Sequence, residues 1–581
     1  MKERIQFLFI YFGFWVVYFL GARFLFLSYH IASTKLLTLE TLGIIFARGL
    51  RIDLSMAAAL SIIPFLWVGF SEYIKKSVFE NTLFTYTLGA VFSLTLISVI
   101  DLEVYAVWNY RIDATPLAYL DSGKDVLRSI KNAPYIRLIV SYILLIILAS
   151  YFVYRIIAQK ISTWKHIEPV PLLVASALMT VLLVIPLRGG LGKTNLNHSS
   201  AYFSENNFAN IATLNASWNF GYSLISKSYG KGNPYSYLPK NQLNSTFKKL
   251  FNLDSQAKDI LRVKRPNILL VVLDDFELKK YSSSSVIISS SDSVKTNGLN
   301  DILTFNHVYQ ADAKPDFGLL NILSGYPSPP KEYVLENPKK ISELTFLTSN
   351  LNAKNYLTSF YYGGDAEFDN LKPFLFAANF DVVIDQLAFS QEQSIFDKYL
   401  NDITSTEPRF DVLVQPKANN GLNQSAFYEQ RLQELFNNLK KRGLWENTLV
   451  IVTGHRDLSN ELTTLTLENF HIPMFWTGGA LLQHGQNNSY GSLTDIPKSI
   501  LNTLGVSNEN FTFSKTLFSK TSESWAYVSY PNYIGYINQN GYLVFDNDNK
   551  AIVQKEGNFT EENLIKAKAY LQKSFQDYLQ K

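Results

Sequence analysis

Five long apolar runs in the first 190 residues constrain this chain more than any other feature. They extend from about Ile5 to Leu27, Ala57 to Phe70, Thr82 to Ile100, Leu138 to Ile157 and Pro171 to Leu187. A helix needs roughly 20 apolar residues to cross the hydrocarbon core of a bilayer. The second and fifth runs are shorter and draw on their flanks. A cleaved signal peptide would give one short apolar run and a small-residue cleavage site. Here the first run is too long for that, and four more follow. Buried helices of a soluble protein would account for one such run, not five in succession. The sequence therefore predicts a five-helix transmembrane domain over residues 1–190.

The remainder must be of a different kind. Mean hydropathy over the whole chain is only +0.02, so the average combines an oily part and a polar part. A length of 581 residues also exceeds one compact domain. The net charge of +4 is too small to argue for a nucleic-acid partner. The chain has no cysteine, which excludes disulfides, thiolate metal sites and a cysteine nucleophile.

Lysine and arginine in short loops set membrane orientation. Lys2 and Arg4 precede the first run, Lys75 and Lys76 lie between the second and third, and Arg155, Lys160 and Lys165 lie between the fourth and fifth. These dense segments fall on one side, which is read as cytoplasmic. The other side carries Lys35, Arg48, Arg51, Arg111, Lys124, Arg128, Lys131 and Arg137 in longer, mixed loops. An odd number of spans then puts everything after Gly189 outside the cytoplasm, in a multi-pass protein of the bacterial inner membrane.

Residues 191–262 read as a juxtamembrane linker with interfacial helices. The stretch Phe208 to Leu224 carries Trp218, Phe220 and Tyr222, and aromatics of this kind suit a membrane interface. A plain tether with buried aromatics is the alternative. Over residues 263–581 the pattern becomes α/β. Residues 266–275 read Pro-Asn-Ile-Leu-Leu-Val-Val-Leu-Asp-Asp, a continuous apolar run ending in two carboxylates. Such a run is a buried parallel strand, and open α/β sheets place ligands at the carboxyl ends of their strands. Strands are expected at Tyr356–Tyr362, Phe410–Val414, Thr448–Thr453, Trp525–Tyr530 and Tyr542–Phe545. Helices are expected at Gln424–Arg442, at Asp495–Leu504 and from Thr560 onward. The alternation predicts a mostly parallel central sheet covered by helices.

Several ordered segments carry a resemblance. They are the strand at 266–275, the segment Asp316-Phe-Gly-Leu-Leu-Asn-Ile-Leu-Ser-Gly-Tyr-Pro, the segment Tyr361-Tyr-Gly-Gly-Asp, the strand Asn447-Thr-Leu-Val-Ile-Val-Thr, and the segments beginning at His471 and Thr494. With five preceding spans, this order resembles lipoteichoic acid synthase-like membrane proteins of the sulfatase and alkaline phosphatase superfamily. The resemblance implies an alkaline phosphatase-like fold. It also implies a divalent metal (manganese, magnesium or zinc) that activates a threonine for attack on a phosphodiester headgroup.

The residues at the implied positions depart from that pattern. The first metal ligand falls on Asp274, which keeps a carboxylate and is followed by Asp275. The nucleophile falls on Pro315, which has no hydroxyl, and the arginine before it is Lys314. The Asp-His metal pair falls on His455 and Arg456. A one-residue shift leaves His455 as the histidine and puts Gly454 at the aspartate. Arg456 thus occupies a lost ligand position, where its charge could replace that of a metal, and Asp457 is one residue out of register. A substrate-facing histidine expected after the strand at 410–414 is missing from Val414-Gln-Pro-Lys-Ala-Asn-Asn. The other histidines of this part, His198, His307, His471 and His484, read as structural.

No intact catalytic residue remains on this reading, because loss of a nucleophile alone costs many orders of magnitude in rate. Two functions stay open. One is a pseudoenzyme that binds or scaffolds an envelope glycan, lipid headgroup or protein, with no cofactor. The other is an active phosphoglycerol transferase, or a sulfuric or phosphoric ester hydrolase, with a rearranged metal site. A transporter is disfavoured, since no expected span carries a charge near its middle. The serine-rich stretch within 282–291 reads as a loop beside the old site. Lys279-Lys280 and Lys440-Lys441-Arg442 read as solvated faces.

Overall fold

The computed structural model describes residues 1–114, 117, 134–192, 195–225, 233–251, 260–276, 302–312, 315–332, 334–367, 370–389, 394–403, 408–417, 424–456, 467–518, 524–530 and 532–581. The expected serine-rich loop, Lys279, Lys280, Lys314 and Asp457 lie outside these residues. The chain divides into two units, Met1–Lys231 and Gly232–Lys581.

Among the described residues, the first unit holds five stretches of helix long and apolar enough to cross a membrane. Helices α1 (Lys2–Tyr29), α2 (Leu39–Gly69), α3 (Lys76–Trp108) and α4 (Tyr135–Ser162) are continuous. The fifth stretch is α5 (Pro169–Leu182), followed by the short helix Val184–Arg188. Pro186 has no N–H for the carbonyl four residues back, which favours a break at that point.

Helix α2 corrects the sequence reading, which began the second span near Ala57. It starts at Leu39, where the Thr38 side chain accepts the Thr41 N–H at 3.1 Å. Arg48, Arg51 and Asp53 lower the hydropathy of the first half, but Gly49, Ile52 and Asp53 turn inward and are buried. Asp53 therefore lies near the middle of a span-length helix, contrary to expectation. Its charge is met by Arg23 of α1, whose Nη2 donates to Asp53 Oδ1 at 2.8 Å.

The same guanidinium reaches the two short helices α6 (Asn207–Thr213) and α7 (Ala216–Ile225). Its Nη1 donates to the carbonyls of Ala212 at 2.5 Å and Thr213 at 2.6 Å. Those carbonyls would otherwise be unsatisfied at the end of α6. Asn215 accepts the Trp218 N–H at 3.1 Å and donates to Asp53 at 2.8 Å. Phe208 and Trp218 are buried inside this unit.

The second unit is built on an eight-stranded sheet. Its strands are β1 (Asn267–Asp274), β2 (Leu303–Tyr309), β3 (Leu357–Tyr362), β4 (Val382–Ile384), β5 (Arg409–Gln415), β6 (Thr448–His455), β7 (Met474–Thr477) and β8 (Gly485–Ser492). They lie in the order β4-β3-β5-β1-β6-β7-β2-β8. All pairings are parallel except those of β7 with β6 and with β2, so the sheet is mostly parallel as expected.

β1 is central and covered on both faces. Ile268, Leu270 and Val272 join one core, and Leu269, Val271 and Leu273 join the other. This is the period of two that a strand imposes. Each such fully buried side chain contributes about 1.5–3 kcal/mol. Helices α8 (Pro315–Ser324), α11 (Ile496–Thr503) and α12 (Glu561–Gln580) cover the first face. Helices α9 (Ile395–Asp402) and α10 (Gln424–Lys441) cover the second. A separate antiparallel sheet, in the order β12-β11-β10-β9, comprises β9 (Trp525–Tyr530), β10 (Tyr533–Asn538), β11 (Gly541–Asp546) and β12 (Ala551–Gly557). Only β9 and β11 of this sheet were legible in the sequence. β10 and β12 are joined to their neighbours by short turns and were not read as strands.

Candidate functional site at the carboxyl ends of the central strands

Parallel register brings three strand ends together. Asp274 ends β1 and is the register partner of His455, which ends β6. On the other side of β1, Leu273 pairs with Gln415, the last residue of β5, and Lys417 lies two residues further on. Asp274 therefore stands between His455 and Lys417.

The contacts are specific. His455 Nε2 lies 3.8 Å from Asp274 Oδ1. The Lys417 backbone N–H donates to Asp274 Oδ2 at 3.2 Å, and the Lys417 ammonium donates to the Asp275 carboxylate. Asp275 adopts a left-handed backbone, φ +53°, and its N–H donates to the His455 carbonyl at 2.9 Å. Aspartate tolerates that region better than most residues. The Tyr428 hydroxyl of α10 donates to the Asp274 carbonyl at 2.8 Å.

Burial raises the Asp274 carboxyl above its ordinary value. The His455 charge pulls it down, Asp275 adds to the rise, and Lys417 opposes it. Burial also pushes the Tyr428 phenol up, so Tyr428 acts as a hydroxyl donor and not as a base.

Helix α8 closes the site from the first face. Pro315 is its first residue, where a missing N–H costs nothing. One turn later, Gly318 packs against the imidazole. A Cβ added at Gly318 would lie 2.9 Å from His455 Cβ, so only glycine fits without displacement.

Arg456 is held through its backbone. Its N–H donates to Gln310 Oε1 at 2.8 Å, and Gln310 Nε2 donates back to its carbonyl at 2.8 Å. Beside Gln310, the buried Asp312 accepts from Asn321 Nδ2 at 2.9 Å and from the Ser328 N–H at 3.4 Å. Burial pushes the Asp312 carboxyl up to about 7, against the pull of these bonds.

Asp274 and His455, singled out in the sequence, are thus brought together. Arg456 follows His455, and Pro315 opens the neighbouring helix. Sequence reasoning missed Lys417, Gln310 and Gly318. The Gln-Pro-Lys after β5 was noted only for lacking histidine, although a basic residue just past a central strand end was itself a signal.

The donor set can be tested against the divalent metal that the resemblance implies. Hard divalent ions take about six oxygen-rich ligands, and zinc takes about four nitrogen, oxygen or sulfur ligands. Asp274 and His455 offer two donors, but the Asp275 carboxylate is engaged by an ammonium, which cannot ligate a cation. Among the described residues no three histidine, aspartate or glutamate side chains cluster as a metal set. The described residues do not fit such an ion.

Comparison with known proteins finds partial likenesses. No family model matches the chain. Lipoteichoic acid synthase of Staphylococcus aureus strain USA300 is 29% identical over 115 residues. The chain is similar to that synthase over this stretch. The match covers 17% of the chain and 18% of that relative's length. Strain NCTC 8325 carries a relative with the same figures.

Among solved structures, an alkaline phosphatase superfamily protein from Vibrio parahaemolyticus aligns over 60% of this chain and 97% of its own, with TM-score 0.49 and 17% identity. A lipoteichoic acid synthase from Listeria monocytogenes aligns over 59% and 98%, with TM-score 0.45 and 16% identity. The chain itself contains span-length helices and a mostly parallel, helix-covered sheet.

Proposed function

We propose that this protein is a membrane-anchored, sulfatase-like pseudoenzyme of the bacterial cell envelope. Its C-terminal unit faces the outside and binds a lipid headgroup, a glycan or a protein, without turning it over. One observation carries this reading: Pro315, with no hydroxyl to offer, is the first residue of the helix that packs on His455. Nucleophilic catalysis by that position is chemically closed. The donor set around Asp274 supports the same reading, because its neighbouring carboxylate already carries a cation. Placement outside the cytoplasm rests on the lysines and arginines of the short loops.

A second reading is favoured by Asp274 itself, a carboxylate with a raised pKa at a strand end, 3.8 Å from an imidazole. On that reading the protein is a metal-dependent phosphoglycerol transferase or ester hydrolase with another nucleophile.

The two readings separate on metal and turnover. The full chain, purified in detergent, is loaded with manganese, magnesium or zinc, desalted and assayed for metal content. It is then incubated with phosphatidylglycerol. The pseudoenzyme retains no stoichiometric metal and releases no diacylglycerol, the leaving group when glycerol phosphate is taken from that lipid. Stoichiometric metal lost in Asp274→Ala, together with turnover, would establish the second reading instead.

A further inference from the structure

We propose that Lys417 is a tethered cation, standing in for a bound metal beside Asp274 and Asp275. The inference rests on the non-catalytic reading above and goes further, because it assigns the residue that makes the site independent of metal.

The argument starts from charge. Two consecutive carboxylates at the end of a central strand repel one another, and Asp274 is partly buried there. Proteins resolve such a site with an opposite charge, a metal or a proton. Here the opposite charge comes from the neighbouring strand. Pro416 follows β5 and fixes one backbone angle. Lys417 then gives its N–H to Asp274 at 3.2 Å and its ammonium to Asp275. One residue thus serves both carboxylates, through backbone and side chain. Arg456, suggested by sequence for the same role, has its backbone held by Gln310.

An ammonium differs from a divalent ion in two ways. It carries half the charge, and it cannot polarise a ligand through an empty coordination position. A tethered lysine therefore keeps the architecture of the strand ends while abolishing Lewis-acid chemistry. Its side chain is 60% exposed, so the pair adds little to stability. Its consequence is selectivity: it competes with any free cation for the same oxygens.

The test measures manganese binding to the full chain in detergent by electron paramagnetic resonance. It compares wild type with Lys417→Met and Lys417→Arg, after each has been shown to melt cooperatively. Wild type and Lys417→Arg, which both carry the cation, are expected to bind no manganese up to millimolar concentration. Lys417→Met exposes both carboxylates and His455, and is expected to bind at least about tenfold more tightly, a change of about 1.4 kcal/mol or more. Asp274→Asn in the Lys417→Met background should abolish that gain. If Lys417→Met binds no better than wild type, the tethered cation is wrong and the pseudoenzyme reading stands. If wild type itself binds manganese stoichiometrically, both are wrong.

Discussion

The Arg23 guanidinium donates to the Asp53 carboxylate at 2.8 Å, and both side chains are almost wholly buried within the membrane unit. Such a pair is weak evidence for stability as a whole, yet breaking it from one side is costly. Arg23→Ala would leave Asp53 with the Asn215 amide but no opposite charge, and would also release the Ala212 and Thr213 carbonyls. The expected loss is about 3–5 kcal/mol. Replacing both partners by apolar residues, Arg23→Met with Asp53→Leu, should recover much of it. Thermal melts of the detergent-solubilised chain check the order: single variants lowest, double variant between them and wild type.

Gly318 and His455 give a second expectation. A valine at 318 would have to push into the imidazole, whose Cβ lies 2.9 Å from the added carbon. Overpacking of this kind costs about 1–3 kcal/mol. With α8 held in place, the displacement falls on the end of β6 and widens the 3.8 Å separation of His455 from Asp274. A lower melting temperature with a shifted His455 imidazole signal in NMR is expected. An unchanged signal would show that the helix yields instead.

Asp312 sets a pH dependence for the C-terminal unit. Its folded value of about 7 lies above the ordinary 3.8, so folding favours the protonated form. Stability from this group is fully present below pH 3.8 and is lost as pH rises through about 7. The slope over that window is at most about 1.4 kcal/mol per pH unit. Asp312→Asn, which keeps an acceptor for Asn321, should flatten the curve. Hydrogen exchange in peptides covering residues 302–332, corrected for intrinsic rates, reads the effect.

His198 sets the opposite slope in the membrane unit, at a position outside its spans. Its Nε2 pairs with Asn219 Oδ1 at 2.7 Å, and burial lowers the imidazole to about 4 from 6.5. The neutral ring is the folded form, so stability is full above pH 6.5 and falls as pH drops toward 4. Peptides spanning residues 195–225 should lose exchange protection in acid, and His198→Gln should remove that loss. Acid therefore weakens one unit at His198 while relieving the other at Asp312.

Much of the fold was legible because its signals are local. The five spans follow from hydropathy, and β1 follows from six consecutive apolar residues, Ile268 to Leu273. Thr560 with Glu561 and Glu562 marked the start of α12, where the Thr560 side chain takes part in a capping box. Some of the strands that were missed are short or polar. β8 reads Gly-Gln-Asn-Asn-Ser-Tyr-Gly-Ser and takes its place by pairing with β2, not by its own propensity. Helix α2 was cut short because hydropathy cannot distinguish a charge facing a partner from one facing lipid.

The sequence by itself determined that span-length apolar segments precede an α/β part and that a strand ends in two carboxylates. These are properties of composition, periodicity and residue identity, and no neighbour can alter them. The tertiary structure alone decided which groups meet. Parallel register put His455 beside Asp274, and a strand 142 residues away in sequence delivered Lys417 to Asp275. Arg23 and Asp53, 30 residues apart on different helices, found each other in the same way. Contacts of this kind arise from the packing of separate elements, and local sequence carries no term for them.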